Sequence, residues 1–229
     1  MAAVELEFGM VRKALRAQCE VISRVLSNLP EQEFARPTRL QPWDVRHLVA
    51  HLYRDLERVP LALQERGPAM RADTDVVTYW HYDRIENAAR TQARADLIVG
   101  SYDSGAALAR AFDAMQQRAV YLLDNMNPDV VVRTWAPIMR VDDFAATRVV
   151  EVTIHGLDLG QALQRRLDTD DDALAITSDV LSGLLAAPLP PKLAWDRTTW
   201  IEKGSGRISL TPAERAALGG LADAFPLLA

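Results

Sequence analysis

The chain has 229 residues, 49% hydrophobic and 25% charged, which provides for a packed core and excludes an intrinsically disordered protein. A formal net charge of -5, with the lysines and arginines scattered, argues against a nucleic-acid partner, which calls for a basic stripe. Cys19 is the only cysteine, so no intramolecular disulfide can form and any metal site has to be built from histidines and carboxylates.

The segment MAAVELEFGM lacks the basic start and long apolar region of a signal peptide. No apolar run approaches the roughly 18 residues of a membrane span. These features predict a cytoplasmic protein with no membrane partner. From Val4 to Leu29, apolar residues such as Leu6, Met10, Leu15, Ile22 and Leu26 recur with helical spacing, and Leu29-Pro30 ends the pattern. After a connection over Glu31 to Pro42, Asp44 is placed to cap a second helix, which Pro60 is expected to kink or stop near Val59. Between Gly67 and Gly100, Asp73-Thr74-Asp75 reads as a turn and Tyr79 to Ala95 as a short helix outside the main body. Tyr102 to Asn125 gives a third long amphipathic pattern, broken at Asn127-Pro128, and Val130 to Trp135 reads as extended.

The stretch Arg148 to Leu159 sets a choice between helix and strand. Val150, Val152 and Ile154 alternate with polar partners, and five of the seven residues from Val149 to His155 are β-branched, which favours a strand. Against that, Val141 to Arg166 has no proline and one run of apolar spacings of three, four and seven, too long for a strand and fitted to a helix. The choice decides the chemistry. On a helix Glu151 and His155 share one face about 6 Å apart in rise, whereas on a strand about 13 Å would separate them.

Beyond Arg166 the pattern changes. Asp168 to Asp172 is acidic and turn-like, Pro188, Pro190 and Pro191 punctuate the chain, and Thr198 to Leu210 is expected to form a hairpin around Gly204-Ser205-Gly206. Thr211-Pro212-Ala213-Glu214 carries the signature of a capping box opening a final short helix. The whole predicts a mainly α protein: an antiparallel four-helix bundle over residues 1–166, with a small C-terminal α/β appendage over 167–229.

His51 lies on the second helix, on the same stripe as Leu48, Asp55 and Ala62. If the second and fourth helices are neighbours, His51 can meet Glu151 and His155 across the core. Two imidazoles and a carboxylate suit zinc with one coordination position left open, although a Glu and a His four apart is by itself a weak motif. Trp43 and Trp135 read as core or pocket-rim residues, and Gly156 as a point of close helix packing.

The segment Pro42 to Leu52, with Trp43, His47 and His51, resembles the tryptophan-to-histidine motif of mycothiol-dependent maleylpyruvate isomerases and the wider DinB-like bundle superfamily. Arg148 to Leu159, with Glu151, His155 and Asp158, resembles the second motif of that family, at a similar separation of about one hundred residues. The resemblance covers about residues 5 to 165. It implies a DinB-like bundle in which His51, Glu151 and His155 bind Zn2+ or another divalent metal. Asp158 is then a candidate to orient His155 through its other ring nitrogen, or else the partner of Arg54 or Arg148. His47 is a candidate for a supporting role one turn before His51, and Arg207 for binding an anionic substrate, the alternative being an ordinary surface arginine.

The functional expectation is a zinc-dependent S-transferase or isomerase using mycothiol or a related low-molecular-weight thiol as cosubstrate. The metal would deprotonate the thiol, which then attacks a small electrophile, and no protein side chain acts as nucleophile. A metal-dependent hydrolase and a noncatalytic ligand-binding bundle are the alternatives. The expected partners are the small-molecule thiol and its electrophile, and the expected assembly is a monomer or homodimer.

Overall fold

The computed structural model describes residues 4, 6–67, 70–81, 84–134 and 137–228. Four long helices form the body: α1 (Phe8–Ser27), α2 (Val45–Gln64), α4 (Gly105–Asp124) and α5 (Val141–Ala162). Between α2 and α4 runs α3 (Arg84–Gly100), and a two-stranded antiparallel ribbon, β1 (Val131–Arg133) and β2 (Ile138–Arg140), leads into α5. Trp135 lies outside the described residues.

The caps follow the expected chemistry. The Asp44 carboxylate accepts from the His47 amide at the start of α2, and the Ser104 hydroxyl accepts from the Ala107 amide at the start of α4. Glu31, just past α1, adds its carboxylate to the free amides of Gly105 and Ala106. α2 does not stop at Pro60. It continues to Gln64 with the proline inside it, and burial of Leu56, Val59, Pro60 and Leu63 offsets the lost backbone hydrogen bond, which typically costs about 3 kcal/mol. The β-branched run in α5 is helical because its side chains are almost all buried between α1 and α2; Val149, Val150 and Val152 are fully enclosed.

Each bundle helix has two neighbours, in the cyclic order α1, α4, α2, α5. Arg12 and Arg16 near the start of α1 pair with Asp124 at the end of α4, so those two helices are antiparallel. α2 and α5 are antiparallel as well, since His51 faces His155 while the later Asp55 faces the earlier Arg148. α2 and α4, by contrast, run in the same direction: Arg46 at the start of α2 donates to the carbonyls of Val99 and Tyr102 just ahead of α4. The bundle is therefore up-down-down-up, because α3 carries the chain back along α2 before α4 begins. The α3 helix itself packs chiefly on α2, outside the body, as expected.

The C-terminal part departs from expectation in two places. The acidic stretch opens a helix, α6 (Asp171–Leu185), with Asp170 as its cap, and α6 packs on α1 and α5. The hairpin expected over Thr198 to Leu210 is instead a helix, α7 (Arg197–Gly204), capped by Asp196; Gly206, at φ 76°, turns the chain after it. Among the described residues this part of the chain is helical rather than α/β. The final helix, α8 (Pro212–Leu218), has the capping box between Thr211 and Glu214. Among the described residues no helix is long and apolar enough to cross a membrane.

Candidate functional site

The antiparallel contact of α2 with α5 brings the predicted residues together. One donor atom each from His51, Glu151 and His155 lies within 4.8 Å of the other two. Glu151 Oε2 is 3.3 Å from His155 Nε2 and 3.6 Å from His51 Nε2, and the two imidazoles meet edge to face with centroids 4.7 Å apart. All three sit at the floor of a pocket of about 740 Å3. Its walls come from the Leu40–Trp43 loop, from Tyr79 and Trp80, from α3 through Asn87, Thr91 and Gln92, and from Val150 and Ile154. Trp43 stands against the His51 ring at 5.1 Å and is fixed by a 2.6 Å hydrogen bond from its indole nitrogen to Gln92.

Supporting charges surround the triad. Asp158, fully buried, accepts from His155 Nδ1 at 2.8 Å, which leaves Nε2 facing Glu151. The same carboxylate is held by Arg39 at 2.6 Å and by Arg207 at 3.2 and 3.3 Å. Its partners are thus Arg39 and Arg207; Arg54 pairs with Glu57 and Arg148 with Asp55. Arg207 is no surface residue: it lines the pocket, with its guanidinium clamped on Asp158 and the Ser205 carbonyl. His47 does not support the triad, because its two nitrogens face Asp44 and Asp96. Gly156 brings α5 close to α1, where a Cβ would stand 2.6 Å from the Gln18 amide nitrogen.

The sequence reading did not place Asp55, Arg148 or Arg39 at these positions in the site. Asp55, one turn after His51, places Oδ2 3.0 Å from His51 Nε2, and Arg148, completely enclosed, donates to Asp55 Oδ1 at 3.1 Å and to the Tyr79 hydroxyl at 3.0 Å. The signal was present as a second four-residue spacing, His51 to Asp55, which mirrors Glu151 to His155 on the facing helix.

The electrostatics follow from this crowding. Burial disfavours a charged His51, but Asp55 and Glu151 outweigh it and raise the imidazole to about 10. Burial likewise opposes ionisation of Glu151, yet the His155 and His51 imidazoles facing it hold it well below the usual carboxylate range. Two buried carboxylates thus keep a proton on His51, and a divalent cation would take that proton's place among the same atoms. The donor set fits such an ion: two imidazole Nε2 atoms and a carboxylate converge, and Asp158 fixes one ring.

Comparison with known proteins bears on the fold and the family. Two solved structures share the fold: mycothiol-dependent maleylpyruvate isomerase, with TM-score 0.53 and 16% identity, and a histidine-to-alanine mutant of that enzyme, with TM-score 0.55 and 18% identity. Each alignment covers 83% of this chain and 74% of the other. No curated protein matches the sequence. A family model, described as the mycothiol maleylpyruvate isomerase N-terminal domain, matches residues 15–160, which include all three residues of the triad. That match spans well over half of the chain and both motifs of the site, and the chain belongs to the mycothiol maleylpyruvate isomerase N-terminal domain family.

Proposed function

We propose that the protein is a mycothiol-dependent isomerase or S-transferase of the cytoplasm, acting on a small electrophile at the pocket between α2, α3 and α5. The observation that carries this reading is the convergence of His51 Nε2, Glu151 Oε2 and His155 Nε2 at the pocket floor. These three residues would hold a zinc ion. Zinc in such a place supplies a dication that stabilises the thiolate form of a cosubstrate thiol at neutral pH.

The chain's own residues do the rest. Asp158 accepts the Nδ1 proton of His155 and so presents the Nε2 lone pair to the site. Asp55, held by Arg148, stands behind His51. Trp43, Trp80, Val150 and Ile154 make apolar walls that limit water around the reacting groups. No serine, cysteine or lysine is among the described residues lining this pocket, which supports a nucleophile supplied by the cosubstrate. For an isomerase, thiolate adds to a double bond, the resulting single bond rotates, and elimination returns the thiol; a transferase retains the conjugate. Residues 1–166 form the metal-binding body in this reading, and residues 167–229 supply Arg207 and Leu228 to the pocket.

The test measures bound metal and turnover together. Protein purified without a polyhistidine tag should carry close to one equivalent of zinc, and His51→Ala and His155→Ala should each lose it. Maleylpyruvate with mycothiol is the first substrate pair to try, because the structures that share the fold are of the enzyme named for it. Thiol-dependent turnover that persists in metal-free His155→Ala protein would refute the proposal. A hydrolase would instead be indifferent to added thiol.

A further inference from the structure

Arg207, Arg39 and Arg58 stand at or beside the pocket, and their commitments differ. Arg207 donates to both oxygens of Asp158 and to the Ser205 carbonyl. Arg39 spans Asp158 and Glu202. Arg58 on α2 lines the same pocket with its side chain only 15% exposed, yet its one carboxylate partner among the described residues is Asp55, 3.4 Å from Nε and without a hydrogen bond. That carboxylate is already committed to Arg148 at 3.1 Å and to His51 at 3.0 Å. Among the described residues, Arg58 therefore brings a positive charge that is left largely uncompensated. Burial, then the charges of Arg58, Arg54 and Arg90, hold Arg94 on the adjoining α3 below the usual arginine range.

A mostly buried guanidinium without a committed partner is costly, and a planar anion on its fork is the arrangement that removes the cost. Arg58 follows His51 by seven residues, two helical turns and about 10 Å of rise. Its long side chain faces the same cavity as the triad, and the aromatic rings of Tyr79 and Trp80 line the cavity with it. An electrophile reacting at the triad and carrying a carboxylate a few bonds away would span that separation.

From this geometry we infer that Arg58 is the specificity residue of the pocket: it binds the carboxylate of the electrophilic substrate and selects anionic over neutral electrophiles. The inference rests on the reading of this pocket as the reaction site, but it makes no use of the metal. Arg207 is already held by three hydrogen bonds to Asp158 and the Ser205 carbonyl and ties the site together, whereas Arg58 makes no hydrogen bond among the described residues.

Fumarate and its neutral dimethyl ester serve as probes, with binding measured by titration calorimetry on the full-length protein without thiol. Wild type should bind fumarate at least tenfold more tightly than the diester, Arg58→Gln should lose at least tenfold in fumarate affinity with little change for the diester, and Arg58→Lys should fall between. Thermal melts of the variants confirm folding, and the comparison of dianion with diester on wild type needs no variant at all. Equal affinity for the two probes overturns the inference, as does fumarate binding lost in Arg207→Gln but retained in Arg58→Gln. Repeating the titrations after chelator treatment separates the two readings. A discrimination that persists there supports the role of Arg58 even if the metal assignment fails, and one that vanishes there assigns the anion to the triad and overturns the inference.

Discussion

Replacing Asp158 by asparagine removes one negative charge and alters nothing in shape, and the structure allows its effect to be sized. The carboxylate is fully buried and accepts from His155, Arg39 and Arg207 at once. An asparagine offers one acceptor oxygen, so its amide nitrogen must face either a guanidinium or His155 Nδ1. In the second case it donates to Nδ1 and drives the imidazole proton onto Nε2, the atom that faces Glu151. Loss of a carboxylate behind a ligating histidine typically costs 10 to 100-fold in metal affinity, about 1.4 to 2.7 kcal/mol. Two buried guanidiniums lose a shared counter-charge as well, and breaking a buried pair costs about 3 kcal/mol or more. Burial alone would raise the Asp158 carboxyl, but His155 and Arg207 outweigh it and hold it below the usual range. Its contribution to stability is therefore present in full above about pH 4 and is lost as the pH falls further, so the variant and wild type should converge in acid. Competition titration with a chromophoric chelator measures the zinc affinity, and urea unfolding at pH 7 and pH 3 measures the stability. Zinc affinity within threefold of wild type together with unchanged stability at pH 7 would show that Asp158 neither orients His155 nor anchors the arginines.

Two further substitutions test the packing and the charges of the bundle. Burial and the neighbouring Asp142 push Asp143 up to about 6, so the folded protein holds that proton more tightly than the unfolded chain does, and stability falls as the pH rises from about 4 to 6. Asp143→Asn keeps an acceptor for the Val76 amide and should stabilise by about 1 kcal/mol at pH 7, allowing for solvent screening, with no gain at pH 4. An equal gain at both values would discount the charge. At the start of α4, a Cβ on Gly105 would stand 2.2 Å from the enclosed Phe34 ring, so Gly105→Ala should destabilise by about 2 kcal/mol despite the better helix propensity of alanine. A neutral or stabilising result in the same unfolding assay would mean that Phe34 swings aside freely.

Much of the site was legible because its residues obey a local rule. Glu151 and His155 fall four apart, His51 sits on the other amphipathic stripe, and only a helix could bring the pair to one point. The strand-like composition of Val149 to Ile154 was a local preference overruled by burial on nearly every side. Other features depended on partners that no spacing announces. Arg148 reads as a candidate partner of Asp158 until Asp55 and Tyr79 enclose it. Pro60 reads as a stop until the apolar neighbours around it are counted. Gly204-Ser205-Gly206 reads as a hairpin tip because the same small residues that turn a ribbon also end a helix, and here they end α7. The up-down-down-up order was equally hidden, since it follows from where α3 carries the chain.

That excursion of α3 divides the chamber into parts of unequal permanence. The floor belongs to α2 and α5, locked into the body on several sides, while the wall formed by Asn87, Thr91 and Gln92 hangs on a helix that leans chiefly on α2. Apart from Gln92, which holds Trp43 against His51, residues on the wall can be exchanged without disturbing the groups beneath it, so the repertoire of molecules admitted is free to drift while the chemistry stays put.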